Sequence, residues 1–434
     1  MTLSERRTRR AIWIGVVAVT AVFLVSLLIG PRAPVELDAR GCFVNLVGPK
    51  PFGISLNCDS IALLQLAQYP NRLLDKGSFR QSRPGMVIPA FLLRPLFLPF
   101  QKAPEWLGIH RADKMHEYFQ RFVPEMLANG LPSFLAYATF NVLLLWLTFW
   151  LYLRIVKVPI DATPATLIAV TSVGYLLVAN DIVKVFFWSP HVQLYNIIAP
   201  LLATLVAAEK LAGATTVRYA VLVGALSGLG MTAYPLFVIV PVCLAIAAAV
   251  AWAVNRIDLR TAATDTAAVL AATTIPPLAW FGFVMLKVGS FYSGELAFGQ
   301  LIWIGKSLAE GKFIATAFNT IVVGYIGPLL VQLSALAAPT AILIYLNRGL
   351  SKEAMTTVCG ALIAAVVTFA FYATTGVPYW RTAFAVLPPL IVMLGMMCRE
   401  VVPQARNQAL LASILLAIAI QQTLYTAIKH GPYS

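Results

Sequence analysis

The residue types best suited to chemistry sit in one stretch of this 434-residue chain: Asp59, and the run Arg80-Gln81-Ser82-Arg83-Pro84-Gly85 about two dozen positions later. A carboxylate can take a proton from an attacking hydroxyl, and a planar guanidinium can hold two phosphate oxygens at once. An acid and phosphate-sized positive charge therefore share one segment. A second group, Lys184 and His191, flanks Phe186-Phe187-Trp188-Ser189-Pro190. Ionisable residues between apolar spans are functional candidates: Lys184 for an anion, His191 for a hydroxyl or a proton. Glu295, in the Gly-containing segment 290–300, is an alternative acid/base, and Asp181 beside Asn180 is a further acid at the end of an apolar stretch. Each has a plainer alternative. Asp59 opens a short apolar segment, where a helix dipole favours a carboxylate in the first turn. Lys184 and His191 fit an aromatic belt with a snorkelling lysine and a solvated imidazole.

Composition identifies the elements that must hold these residues. With 59% hydrophobic and 12% charged residues and a mean hydropathy of +0.80, the chain has more apolar surface than a water-soluble fold can bury, so hydrocarbon is its solvent. Residues 11–30 are long enough to span after the arginines Arg6, Arg7, Arg9 and Arg10, and Pro31-Arg32-Ala33-Pro34 reads as a retained anchor rather than a cleavage site. Ten more apolar stretches follow, at about 132–153, 163–180, 190–208, 218–234, 236–254, 264–286, 320–346, 354–374, 382–398 and 408–428. The expected fold is an all-α polytopic membrane protein of about 11 transmembrane helices. Tyr234-Pro235 must then form a tight turn, and 314–346 has room for a short re-entrant piece.

Basic residues set the expected orientation. Arg154 and Lys157, Lys210 and Arg218, Arg256 and Arg260, Arg348 and Lys352, and Arg399 and Arg406 fall in alternate loops, which the positive-inside rule assigns to the cytoplasm with the N-terminus. Residues 1–30 then comprise the cytoplasmic N-terminus and first span, 31–131 a large first extracytoplasmic loop, and 132–434 the helix bundle, with the C-terminus outside. The setting this suits is a bacterial inner membrane. In the first loop, Cys42 and Cys58 face an oxidising compartment, whereas Cys243, Cys359 and Cys398 lie in apolar spans. A Cys42–Cys58 disulfide would restrain the unfolded chain by about 3 kcal/mol; two free thiols are the alternative. Asp59 to Ala67 reads as a short helix, and the proline-broken segment Val87 to Phe100 as an interfacial element.

An N-terminal span, then a loop with Asp59-Ser60-Ile61 opening a helix that runs to Gln68-Tyr69, then Arg83-Pro84-Gly85-Met86-Val87-Ile88-Pro89, resembles the GT-C superfamily of multi-spanning glycosyltransferases. Tyr379-Trp380-Arg381 followed by Pro388-Pro389-Leu390 is similar to the Arg-Tyr then Pro pattern of a late helix in protein mannosyltransferases and lipid A aminoarabinose transferases, with the order of Tyr and Arg reversed. The resemblance implies a polyprenyl-phosphate sugar donor, an extracytoplasmic lipid, glycan or protein acceptor, and transfer with inversion. It implies Asp59 as general base, with Arg83, Arg381, Lys184, His191, Gln81 and Tyr379 around substrate and phosphate. Neither a cofactor nor a divalent metal is expected.

Several constellations are missing from the sequence. There is no Gly-rich Lys motif for nucleotide phosphates, no His and Cys at zinc spacing, and no Asp-x-Asp. The net charge of +14 suits anionic lipids, while so small a soluble fraction leaves no nucleic-acid surface. The alternatives are a lipid or solute transporter or flippase, and a non-catalytic envelope assembly partner. Against transport, the spans hold few ionisable residues away from their ends, Asp265 being the closest, and no internal repeat is visible.

Overall fold

A computed structural model describes residues 43–47, 53–78, 80–102, 110–111, 123–159, 161–294, 302–346, 349–376 and 380–429. The chain is a multi-pass, helical membrane protein: among the described residues, eight helical segments have the length and apolarity to cross a bilayer. They correspond to eight of the eleven expected spans. Two others, Pro164–Tyr175 and Val217–Met231, form shorter apolar helices, and the stretch 11–30 lies outside the described residues. A small feature departs from an all-α reading. Strands β1 (Phe43–Val47), β2 (Gly53–Asn57) and β3 (His110–Arg111) pair antiparallel in the order β2-β1-β3 within the first loop. Alternation in Gly53-Ile54-Ser55-Leu56-Asn57 is the local pattern behind it.

Strand β2 runs directly into α1 (Cys58–Gln68), which places Asp59 in the first turn of a helix. Ile61, Leu63, Leu64, Leu66 and Ala67 are all buried, because α1 packs between α2 (Pro84–Leu93) and the long helix α3 (Val123–Val156). A 3-10 turn, Pro70–Leu74, and Gly77 at φ +76° reverse the chain between α1 and α2. A left-handed position of that kind suits glycine. After α2, a second 3-10 segment, Arg94–Phe100, continues the proline-broken stretch. Met86, Val87 and Ala90 face the protein, and Ile88, Phe91, Leu92, Leu96 and Phe100 are exposed.

The bundle continues with α4 (Pro164–Tyr175), α5 (Asp181–Phe186), α6 (Tyr195–Leu211), α7 (Val217–Met231), α8 (Ile239–Ala253) and α9 (Leu259–Val288). The tight Tyr234-Pro235 turn is present, with a 3-10 segment Pro235–Val238 opening α8. Helices α7 and α9 pack closely because Gly224 and Gly228 sit against backbone: a Cβ at Gly224 would lie 2.5 Å from the Val269 carbonyl oxygen, and one at Gly228 would meet that of Thr273. Small residues four apart let two helices approach where lipid supplies no hydrophobic drive.

The remaining helices are α10 (Trp303–Ala309), α11 (Phe313–Ala317), α12 (Gly327–Leu346), α13 (Lys352–Thr375), α14 (Trp380–Ala383), α15 (Leu387–Val401) and α16 (Gln408–Lys429). Between α11 and α12 the chain is a π-helix, Phe318–Ile326. The segment 313–346 is thus a continuous helical run rather than the re-entrant piece that 314–346 had room for.

One end of the bundle collects basic residues. Arg399 donates to the carbonyls of Val156 (2.8 Å) and Lys157 (3.3 Å), Lys157 pairs with Glu353 (3.2 Å), Arg154 with Glu209 (3.5 Å), and Arg256 donates to Leu211 (2.6 Å). These contacts join the C-terminal ends of α3, α6 and α15 to the N-terminal end of α13. Lys210, expected in a loop, lies inside α6, buried and paired with buried Asp265 of α9. The reason is that α6 runs one turn beyond its expected end.

Candidate functional site

At the opposite end, roughly 25 Å along α6 by its rise per residue, Asp59, Leu63, Arg80, Arg83, Met86, His191 and Val192 line a small pocket. Three segments far apart in sequence build it. Helix α1 supplies Asp59 and Leu63, the turn into α2 and the first turn of α2 supply the two arginines and Met86, and the segment before α6 supplies His191 and Val192.

Asp59 is the centre of a charged triad. One carboxylate oxygen lies 2.6 Å from an Arg80 guanidinium nitrogen, and the other lies 3.5 Å from His191 Nε2. Arg80 and His191 are buried while Asp59 is 37% exposed, so the acid keeps access to the pocket. Burial alone would raise its pKa. The imidazole and the Arg80 guanidinium outweigh that and hold the carboxyl well below the usual carboxylate range. Asp59 is therefore ionised and fixed in direction. The ring of Phe186 lies 4.7 Å, centre to centre, from the His191 ring.

Local contacts explain why the sequence holds this shape. Ser60 hydrogen-bonds Ser189, tying the start of α1 to the turn before α6. Asn141 of α3 donates to the carbonyl of Phe187 at 2.7 Å, which steadies the same turn. Gly85 donates its N–H to the Thr232 carbonyl at 3.1 Å, and an added Cβ would lie 2.5 Å from the Thr232 hydroxyl. Only a residue without a side chain lets the Arg-Pro-Gly turn seat there. Arg83 is the residue before Pro84 at the start of α2, and its guanidinium carbon lies 5.8 Å from the centre of the Tyr234 ring.

The other candidates fall in different places. Gln81 is buried but does not line the pocket: its amide nitrogen donates to the carbonyls of Leu73 (3.1 Å) and Asp75 (3.3 Å), and its amide oxygen accepts from the Tyr292 N–H (2.7 Å). With Trp280 donating to the Gln81 carbonyl at 2.7 Å, this residue joins the first loop to the end of α9. Its expected contact with phosphate gives way to a structural one, because the backbone groups around it need partners. Lys184 in α5 is buried rather than snorkelling, lies apart from the pocket lining, and has its ammonium pushed down to about 8 by burial. His191 is likewise buried, not solvated. Asp181 is the first residue of α5, whose cap is the Asn180 side chain accepting from the Val183 N–H at 3.0 Å.

The backbone of Arg381 lies in the short helix α14, but its side chain, like that of Cys58, lies outside the described residues, as do Tyr379, Glu295 and Cys42. The carbonyl of Thr382, next to Arg381, accepts from the Tyr325 hydroxyl at 3.3 Å. Two features escaped the sequence reading. Arg80 stands in the quoted motif, yet nothing in its spacing from Asp59 marks it as the acid's partner. The polar residues Tyr234, Asn196 and Tyr372 were visible within apolar stretches and are linked below the pocket, Tyr234 to Tyr372 at 2.8 Å and Tyr372 to Asn196 at 2.6 Å.

Among the described residues no cluster of three or more His, Cys, Asp or Glu has the geometry of a metal site. In chemical terms, the pocket combines an ionised, oriented carboxylate with an imidazole and two guanidinium groups beside an apolar wall. No family model matches the chain, and neither a curated protein nor a solved structure is similar to it.

Proposed function

We propose that the chain is an integral-membrane glycosyltransferase that moves a sugar from a polyprenyl-phosphate donor to an extracytoplasmic acceptor with inversion. The observation that carries this reading is the pocket in which Asp59 meets Arg80, Arg83 and His191, at the end of the bundle away from the basic residues. By the positive-inside rule, that end faces out of the cytoplasm, where a lipid carrier presents its sugar. The exposed apolar side of Pro84–Phe100 supports the same reading, since it would rest in the outer interface of a bacterial inner membrane beside the pocket.

In this reaction the acceptor oxygen attacks the anomeric carbon as the bond from that carbon to the phosphate oxygen breaks. The bonding pair leaves with the phosphate, giving free polyprenyl phosphate, and the acceptor proton passes to Asp59. A carboxylate held this acidic is a weak base for a ground-state hydroxyl. The proton moves late, once the new bond has made the acceptor oxygen cationic and its proton strongly acidic. Arg83 takes the charge that builds on the leaving phosphate, as a cation in a site of low dielectric does, and Arg381 is the second candidate for that role. Arg80 and His191 aim the carboxylate.

The test is direct. Purified protein given a labelled polyprenyl-phosphate sugar and candidate acceptors is expected to release polyprenyl phosphate and label the acceptor. Movement of intact labelled lipid across vesicles, with no release of phosphate, would instead favour a flippase.

A further inference from the structure

Beneath the pocket runs a chain of buried polar side chains that proton transfer does not use. Gln193, Asn196, Tyr234 and Tyr372 are each less than one-tenth exposed. The Asn196 amide donates to the Gln193 side-chain oxygen at 2.7 Å, and the Tyr372 hydroxyl donates to the Asn196 side-chain oxygen at 2.6 Å. The Tyr234 and Tyr372 hydroxyls are 2.8 Å apart. The circuit starts two residues after His191 and ends at the ring on which Arg83 rests. It thus links both sides of the pocket through α6, α13 and the turn before α8.

We infer that Tyr234 is a positioning residue that aims the Arg83 guanidinium into the pocket, and that Tyr372 and Asn196 fix the Tyr234 ring for this purpose. Three observations converge on it. The Arg83 guanidinium carbon lies 5.8 Å from the centre of the Tyr234 ring, within reach of its face. The Tyr234 ring is wedged between the ring of Tyr195, stacked at 6.3 Å and 26°, and its hydroxyl contact to Tyr372. Buried hydroxyls lose free energy if their hydrogen bonds break, so the Tyr234–Tyr372–Asn196 contacts fix the ring more narrowly than apolar packing does. A cation held over an aromatic face gains direction as well as energy. The inference rests on the proposed function only for the identity of the anion that Arg83 meets.

Two measurements test it. The first is binding of a short-chain polyprenyl phosphate to the full-length protein in detergent. Tyr234→Leu is expected to weaken binding about tenfold, and Tyr234→Phe, which keeps the ring, by clearly less. In an Arg83→Ala background, Tyr234→Leu and Tyr372→Phe should add nothing further, because a positioning residue acts only through its partner. Equal losses in both backgrounds would mean a general structural role and overturn the inference. The second measurement needs no ligand. Modification of Arg83 by phenylglyoxal, followed by peptide mass spectrometry, should be several-fold faster in Tyr234→Leu and Tyr372→Phe, with Arg72, which rests on Tyr69 at 5.0 Å, as the unchanged control. An unchanged Arg83 rate overturns the inference. If wild-type protein binds no polyprenyl phosphate, the donor assignment falls and the modification rates still decide the role of Tyr234.

Discussion

At the scale of single residues, Asp59 is decided by its neighbours. The first-turn carboxylate and the proposed base are the same atom group, since the helix start fixes where the acid points and Arg80 and His191 keep it ionised. The pH dependence follows with a definite sign. The folded pKa lies below the unfolded value, so the stability from this ionisation is fully present above about pH 4 and is lost as pH falls through the lower, folded value. The acid limb of the transfer rate due to Asp59 should likewise lie below about pH 4. Replacing Arg80 by Gln removes a cation and should move that limb to higher pH, as a rate profile would show. At Lys184 it is the charged form that folding disfavours, through burial, so stability should rise as pH goes from about 8 toward the ordinary lysine range. Lys184→Met should abolish that rise in denaturant titrations at a series of pH values.

At the scale of elements, what could be read in the sequence was what depends on near neighbours in the chain. The apolar run after Asp59 gives a helix, the prolines from Pro84 to Pro99 give a short broken element, and Tyr234-Pro235 gives a turn. Contacts that join distant segments left no local trace. Arg80 reaches Asp59 only because Pro70–Leu74 and Gly77 reverse the chain, and the Tyr234–Tyr372 contact spans 138 positions. Gln81 was read as a ligand for phosphate because it stands among arginines, whereas its side chain closes the loop by bonding backbone. Gln81→Ala leaves those buried groups without partners and should destabilise the protein by about 1–3 kcal/mol, measurable as a lower denaturation midpoint with the slope unchanged. Gly228→Leu should be worse, because its side chain must displace the backbone of α9. Expression and thermal unfolding in detergent would register that.

At the scale of the whole molecule, two ends of one bundle carry different chemistry. One gathers Arg154, Lys157, Arg256 and Arg399 into contacts with helix ends and acids. The other holds the Asp59 pocket, in which Leu63, Met86 and Val192 supply the apolar lining. The proposed topology therefore makes a sharp claim about sidedness. A single cysteine introduced at Ser82 should react with a membrane-impermeant maleimide added from outside the cytoplasm, and one at Asn255 should not. The reverse pattern would invert the orientation.

The central claim is that the oriented, ionised carboxylate of Asp59 takes the acceptor proton in sugar transfer. Its most direct test compares wild-type protein with Asp59→Asn, which keeps the shape of the side chain and removes its basicity, in the release of polyprenyl phosphate from a polyprenyl-phosphate sugar. With both proteins shown to be folded by the same thermal transition, the account predicts that the variant loses at least about a hundredfold in rate. Release by Asp59→Asn at close to the wild-type rate would contradict it.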